Sequence, residues 1–557
     1  MFQFSISNEL EKKISNAHCV GNFYFDDDIQ CQNLLELVEK NSYLNKTFCT
    51  FYNDNGEITK LTYEFFFKKV NQTANFLIEN NIEVGNCVAI ISHNHIDTVV
   101  LYFAIWAIGA IAVPINVGED DKRIEFIVEN SESKIIFVRE NYFERITNIF
   151  HSNKKTICVE NNINGNFHST LKNISDNFEN NNKVKLDNDA LIIYTSGTTG
   201  LPKGVVLTQK NLIVDAKEIS LWHKIDESQT MMCILPLHHV NGIVVTLLTP
   251  MFSRASVVLN QKFHSNNFFK QVEKENVNIV SVVPTILQFL LNEYENKIAP
   301  QINSLRHFIC GAGPLTCELA NKFEKKFHIS IIHGYGLSET TCYSCFLPID
   351  LNETEHIFWM NEFGFPSIGV SIPSNEMAIH NENGNELSEM EKGEIVIRGK
   401  NVMKSYFKNS EANEKSFTYN WFRSGDEGFF KLDKNGKKFF FITGRLKELI
   451  IRGGTNISPF AIDEILMNIE GVEIGLAVGF ENIWYGEEVG AYIKLKENSN
   501  LIEKEILSYC RKFISFSLSP KVVVFGNEIP VTSTGKYQRN KLKHLFEKWK
   551  EIQFTKK

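Results

Sequence analysis

The stretch Tyr194-Thr195-Ser196-Gly197-Thr198-Thr199-Gly200-Leu201-Pro202-Lys203-Gly204 decides how the rest of this 557-residue chain is read. An apolar strand at Ala190–Thr195 leads into it, and a helical stretch is expected to follow. Three glycines let the backbone approach a ligand closely. Four hydroxyls and the backbone N–H groups can surround phosphate oxygens. Lys203 adds a full positive charge. The spacing G-x-x-x-x-G-K-[ST] of a Walker A loop is absent. A short glycine-rich match is often a surface turn, but eleven consecutive residues of this composition point to a phosphate site.

Outward from there, the chain alternates helical patterns with short apolar runs from about Leu61. Strands are expected at Val88–Ser92, Lys134–Val138, Lys155–Glu160, Met231–Leu235, Ser256–Leu259, Ile279–Val283, His307–Cys310 and Ile329–Ile332. Amphipathic stretches such as Tyr63–Glu79 and Phe268–Glu275 lie between them. Near-continuous apolar strands spaced by helices predict buried parallel sheets. Residues 99–113 are all non-polar, which is short of the roughly 20 residues a membrane helix needs. Gly109 and Pro114 punctuate the run, so a buried helix leading into a core strand is expected. The Asn-rich stretch 161–182 reads as a surface loop. From about Gly364 to Phe441 short strands with Gly and Asn turns suggest an antiparallel or barrel-like piece. After Gly444 the pattern resets to helices at Ser458–Ile469, Leu501–Ile514 and Lys536–Trp549, with strands at Leu476–Val478, Val489–Leu495 and Val522–Phe525. That is a small α+β unit, with the boundary near Lys447.

Composition narrows the classes. Hydrophobic residues make up 43% and charged residues 22%, ordinary for a globular protein of at least two domains. The 44 phenylalanines suggest a large apolar core or pocket. A net charge of −8 offers no basic field for nucleic acid or anionic lipid. Eleven scattered cysteines fit a reducing compartment, and a cytoplasmic location is expected. The one close pair, Cys342-x-x-Cys345, lacks the second pair a zinc site needs, so two buried thiols are expected. No secretory signal or integral membrane segment is expected.

Four further segments carry candidate chemistry. In His333-Gly334-Tyr335-Gly336-Leu337-Ser338-Glu339-Thr340, behind an apolar strand, Tyr335 can stack on a base and the flanking glycines leave it room. Glu339 is a hard oxygen ligand suited to Mg²⁺ shared with phosphates. In Trp421-Phe422-Arg423-Ser424-Gly425-Asp426, the Asp can accept hydrogen bonds from ribose hydroxyls. In Gly444-Arg445-Leu446-Lys447-Glu448, the Arg can support the same ribose or a phosphate. Pro530-Val531-Thr532-Ser533-Thr534-Gly535-Lys536 places a Lys behind a glycine turn at an expected helix start. There is no H-E-x-x-H helix, no G-x-S-x-G elbow and no G-x-G-x-x-G fingerprint.

These five segments, in this order, resemble the adenylate-forming superfamily of acyl-CoA synthetases, aryl-CoA ligases and peptide-synthetase adenylation domains. The likeness runs from about Leu61 to Leu542. It includes Pro236-Leu237-His238-His239-Val240-Asn241-Gly242 and Gly311-Ala312-Gly313-Pro314. It implies an α/β fold: a large N-terminal part (1–446) of two doubly wound α/β subdomains and a distorted β-barrel, with a small mobile α+β lid (447–557). It implies ATP, Mg²⁺ and coenzyme A as cofactors. A carboxylic acid would be joined to AMP with release of pyrophosphate and then passed to coenzyme A, or to a separate acyl carrier protein.

By position, the resemblance assigns Thr195, Ser196, Gly197, Thr198, Thr199, Gly200 and Lys203 to the β- and γ-phosphates. Tyr335 would stack on adenine, Gly311, Ala312, Gly334 and Gly336 would belong to the ATP/AMP site, Thr340 would contact the α-phosphate, and Asp426 and Arg445 would hold the ribose. Glu339 would bind the metal. Lys536 would reach the α-phosphate and the substrate carboxylate as the catalytic lysine. His239, beside His238, would gate an acyl pocket walled by Val240, Asn241, Gly311, Ala312 and Gly313, whose small residues leave a slot open. Lys447 would be the hinge, and Gly453 and Gly454 the passage for coenzyme A. Ser338 stands where the family usually has Thr, Thr455 where many members have Glu, and Ala461 where an acidic residue is common.

Overall fold

The apolar runs become two largely parallel sheets. The computed structural model describes residues 7–19, 29–151, 153–162, 165–178, 183–195, 202–531 and 537–555. Among them, one seven-stranded sheet runs in the order Ser405–Tyr406, Lys203–Thr208, Asp189–Thr195, Ile111–Ile115, Cys87–Ile91, Ile135–Val138, Lys155–Cys158. The expected buried helix is Ile96–Ala107. All of its residues are buried, so it is a core helix with no polar face, and the strand Ile111–Ile115 follows it. No helix among the described residues is long and apolar enough to cross a membrane.

One expectation fails in this sheet. Lys203–Thr208 is a strand, antiparallel to Asp189–Thr195 with Lys203 opposite Thr195, and only then comes the helix Gln209–Trp222. The β-branched run Val205-Val206 and Leu207 is fully buried, which favours a strand over an immediate helix. The glycine-rich stretch therefore links two antiparallel strands. Its residues 196–201 lie outside the described residues.

A nine-stranded sheet has the order Val370–Ser371, Cys345–Phe346, Ser330–Tyr335, His307–Cys310, Ile279–Val282, Thr230–Cys233, Ser256–Asn260, Thr47–Tyr52, Ile58–Thr62. Of its last two strands, Thr47–Tyr52 precedes Leu61, where the sequence pattern was first legible, and Ile58–Thr62 spans it. Thr47–Tyr52 is recruited by parallel pairing to Ser256–Asn260, a partner more than two hundred residues away. The chain order reverses between Thr230–Cys233 and Ile279–Val282, and the carboxyl ends of such strands form the crevice of an open α/β sheet. The Asn-rich stretch is more than a surface loop. It holds the hairpin Asn161–Asn162/Gly165–Asn166 and the helix Phe167–Leu171, whose Phe167 and Leu171 are buried.

Asn375–His380, Gly393–Gly399, Phe422–Leu432 and Lys438–Arg445 form a four-stranded antiparallel half-barrel. Beyond it, Ile450–Arg452, Thr455–Ile457, Val472–Asn482, Gly486–Leu495 and Val522–Phe525 form a five-stranded sheet. The helices Pro459–Met467 and Glu503–Phe513 pack on that sheet around one apolar cluster that includes Leu466, Ile493 and Ile506, while the C-terminal segment Arg539–Trp549 packs Phe546 into a second. This C-terminal unit sits over the carboxyl ends of the nine-stranded sheet, where its helix Pro459–Met467 contacts the helix Cys317–Phe327.

Candidate active site

Three strands converge on one cleft. Tyr335 ends the strand Ser330–Tyr335, Asp426 lies in Phe422–Leu432, and Arg445 ends Lys438–Arg445 directly opposite Asp426 in register. The Tyr335 hydroxyl donates to Asp426 Oδ2 at 2.7 Å. Arg445 Nε stands 3.1 Å from Asp426 Oδ1. That second oxygen is buried and outside hydrogen-bond geometry with any partner among the described residues. A buried carboxylate oxygen left so is costly unless a ligand donor completes it. Burial and the Asp426 carboxylate push the Tyr335 phenol well above its usual range, so it stays a donor. Asp426 in turn holds the Arg445 guanidinium more firmly protonated. The cleft, of about 730 Å³, is lined by Ala312, Gly334, Tyr335, Gly336, Asp426 and Arg445, with Tyr537 and Arg539 from the C-terminal unit.

Gly334 and Gly336 do not leave room for a base. A Cβ on Gly334 would meet the Phe346 ring at 2.5 Å, and one on Gly336 would meet the Cys342 carbonyl oxygen at 1.9 Å. Their smallness lets the following loop fold back against the strand, and that packing sets the position of Tyr335.

A second group gathers around Glu339, in the short turn Ser338–Thr340. Tyr406 donates its hydroxyl to Glu339 Oε1 at 2.8 Å, and the Lys203 ammonium stands 4.9 Å from the Tyr406 ring centroid. Burial, with Lys447 nearby, lowers the Lys203 pKa. A single carboxylate held by a phenol, beside a lysine, suits Mg²⁺, which keeps most of its coordination for phosphates and water. Thr340 is fully buried, and its hydroxyl accepts from Leu337 N–H at 3.0 Å, closing its own turn. Thr195 faces Lys203 across the hairpin.

The acyl-pocket candidates lie at the sheet reversal. His238 and His239 form the turn after Thr230–Cys233, with ring centroids 4.4 Å apart. Burial lowers the His238 pKa to about 4, so that ring is neutral. Asn241 opens an eight-residue π-helix, Asn241–Leu248, and Val240 is buried beside it. The expected open slot at Gly311 is filled: a Cβ there would lie 2.6 Å from the Tyr343 hydroxyl. Gly313 borders the cleft against Pro284. Cys342 and Cys345 are both buried thiols.

The C-terminal unit closes the cleft from the other side. The Glu464 carboxylate accepts from the N–H groups of Cys317 and Glu318, each at 3.2 Å, at the N-terminus of the helix Cys317–Phe327. Lys447 lies in an exposed turn between Lys438–Arg445 and Ile450–Arg452. Gly453 and Gly454, with φ of 55° and 82°, form the turn joining Ile450–Arg452 to Thr455–Ile457, exposed and away from the cleft. Ser196, Gly197, Thr198, Thr199, Gly200 and Lys536 lie outside the described residues. Tyr406, Tyr343, Tyr537 and Glu464 were missed by sequence reading. Tyr406 and Glu464 are isolated in the sequence and meet partners more than sixty residues away, while Tyr343 and Tyr537 stand just beyond segments already singled out.

Known proteins place this arrangement. Residues 38–407 match the AMP-binding enzyme family. An oxalate–CoA ligase of Arabidopsis thaliana is 30% identical over 496 residues, covering 88% of this chain and 94% of the relative. A sulfoacetate–CoA ligase of Cupriavidus necator is 33% identical over 357 residues, 64% of this chain and 67% of the relative. Among solved structures, o-succinylbenzoate CoA synthetase (MenE) from Bacillus subtilis with its acyl-adenylate intermediate superposes with a TM-score of 0.78 at 26% identity, over 92% of this chain and 98% of that one. ATP-bound MatB from Rhodopseudomonas palustris shares the fold with a TM-score of 0.82 at 24% identity, over 92% and 99%. The chain is an enzyme of the AMP-binding family, the adenylate-forming superfamily that its five segments resemble.

Proposed function

We propose that this enzyme is an ATP-dependent acid–thiol ligase that makes an acyl-AMP and then an acyl-coenzyme A thioester. The observation that carries the reading is the Tyr335–Asp426–Arg445 group, with a buried carboxylate oxygen short of a donor at the wall of the cleft. A ribose hydroxyl would complete it. The named relatives, ligases of oxalate and sulfoacetate, support the acid–coenzyme A part.

A carboxylate must approach an α-phosphorus surrounded by negative charge, so positioning and charge neutralisation are most of the catalysis. Tyr335 and Asp426 orient the nucleoside. Arg445 supports the ribose. Lys203, with residues 195–199, takes the β- and γ-phosphates. Glu339, oriented by Tyr406, would hold Mg²⁺, which when bound supplies positive charge to the phosphates. Lys536 is assigned to the carboxylate and the α-phosphate. Tyr537, the next residue along, lines the cleft, which supports that assignment. His239 is assigned to gating of the acyl pocket.

Lys447 is proposed as the hinge between the two domains, 1–446 and 447–557. Apolar packing of the body ends near Phe441 and that of the lid begins at Ile450, so few contacts resist a rotation there. Rotation would withdraw Lys536 and bring Gly453 and Gly454 to the adenylate for coenzyme A. Exchange of labelled pyrophosphate into ATP, over a panel of acids, tests the first step. Thioester formation with free coenzyme A against a phosphopantetheine carrier protein then separates the two acceptors.

A further inference from the structure

At the sheet reversal three polar side chains meet. Ser281, in the strand Ile279–Val282, donates to Asn241 Oδ1 at 2.9 Å. The Asn241 amide nitrogen stands 3.5 Å from the Tyr343 hydroxyl. Asn241 begins the π-helix, a geometry common at functional sites. The Tyr343 ring occupies the volume that Gly311 and Gly334 leave: Cβ atoms there would lie 2.9 Å and 2.8 Å from its Cε1. Phe346 backs it, ring centroid to ring centroid 4.4 Å.

The loop that carries Tyr343 is fixed at both ends of the residue. The Tyr343 N–H donates to Asp215 Oδ2 at 3.2 Å, and its carbonyl accepts from the Asn401 amide at 2.9 Å. Thr341, two residues earlier, has φ of 66°, an uncommon conformation for a β-branched residue, and donates its hydroxyl to the Asn401 carbonyl at 2.6 Å. These bonds fix the backbone from which the ring projects, and Phe346 with the bare faces of Gly311 and Gly334 packs around the ring itself.

Gly311 adjoins Ala312, which lines the nucleotide cleft, and consecutive Cα atoms are about 3.8 Å apart. The phenol thus lies behind Gly311, the chain neighbour of a residue that lines the cleft. Resting on the ligase reading above, we propose that Tyr343 is the floor of the acyl pocket and confines the enzyme to short carboxylic acids. With Asn241, it presents hydrogen-bonding groups to the far end of the acid, so short acids with a polar tail are the substrate class.

The test is a length series of acids, plain and with hydroxyl or carboxylate tails, assayed by acid-dependent pyrophosphate release. The wild type is expected to use acids of about two to four carbons and to favour the polar-tailed ones. Tyr343→Ala is expected to raise kcat/KM for acids of about six to eight carbons by tenfold or more. Tyr343→Phe should keep the length limit and lose about tenfold of the polar-tail preference. Wild-type preference for long acids overturns the inference. So does a Tyr343→Ala protein with native melting behaviour and an unchanged length profile. If Tyr343→Ala does not fold, Tyr343→Leu and the wild-type profile decide. An enzyme that releases no pyrophosphate with any acid overturns the ligase reading itself, and the inference with it.

Discussion

The glycines beside Tyr335 and the glycines of the lid's hairpin turn use the same residue for opposite ends. Gly334 and Gly336 are pressed against Phe346 and the Cys342 backbone, and nothing larger fits. Gly454 meets nothing within 4 Å and is glycine because its φ of 82° demands it. The first pair builds a rigid wall beside Tyr335, where a nucleotide is proposed to bind. The second keeps a bare backbone turn on the surface of a domain proposed to rotate. A glycine-rich segment therefore announces close approach without saying whether the protein itself or a ligand comes close.

Substitutions can break that contrast. Gly336→Ala carries the largest expected effect, because its Cβ would overlap a backbone carbonyl that cannot yield. A loss of about 3 kcal/mol or more is expected, read as a marked fall in the unfolding midpoint, and an unchanged midpoint would remove the packing account. Asp426→Asn keeps the shape but loses the charge that faces Arg445, so nucleotide affinity should fall by about 10²-fold with little change in melting. Titration with AMP measures it. In the lid, Gly454→Ala should cost only about 1 kcal/mol of backbone strain while slowing thioester formation more than pyrophosphate exchange. Equal slowing of both steps would count against a role for that turn in the second step. Lys447→Pro should likewise spare adenylation and stop thioester formation.

The smallest expected effect is on pH. Burial pushes the Glu464 carboxyl up to about 7 where it meets the helix Cys317–Phe327, while the two N–H groups it accepts from act the other way. The neighbouring carboxylates of Glu318 and Asp463 also raise it, and Lys322 pairs with Glu318. A carboxyl raised in the docked lid relative to the released lid takes up a proton on docking. Docking is therefore fully favoured below the ordinary carboxylate range and weakens as pH rises through about 7. Protease sensitivity of the Lys447 turn should increase over that window in the wild type and lose its pH dependence in Glu464→Gln. A flat wild-type profile would mean the latch is insignificant.

The same contrast explains what was legible in the sequence. The strands and the core helix Ile96–Ala107 could be read because their hydrophobic periodicity is local. So could the Tyr335, Asp426 and Arg445 segments, which lie in contiguous runs at strand ends. Thr47–Tyr52 could not, since its partner strand begins at Ser256 and its own pattern is short. Nor could Lys203–Thr208, where a single buried run after a glycine-rich loop fits either a strand or a helix start. Tyr343 was hidden behind the small residues it packs against. Gly311 read as open space, and only the fold brings a ring from thirty-two residues downstream into that space. Tyr406 and Glu464 reach the site from separate subdomains, with no residue pattern around them to announce it.

The most direct measurement is a single-turnover reaction of enzyme with ATP, Mg²⁺ and a short polar-tailed acid, without coenzyme A, followed by mass spectrometry of the bound nucleotide. The account predicts an acyl-AMP formed with one equivalent of pyrophosphate, lost from Asp426→Asn and discharged to a thioester when coenzyme A is added. ATP that binds but never yields an acyl-AMP with any acid would contradict it.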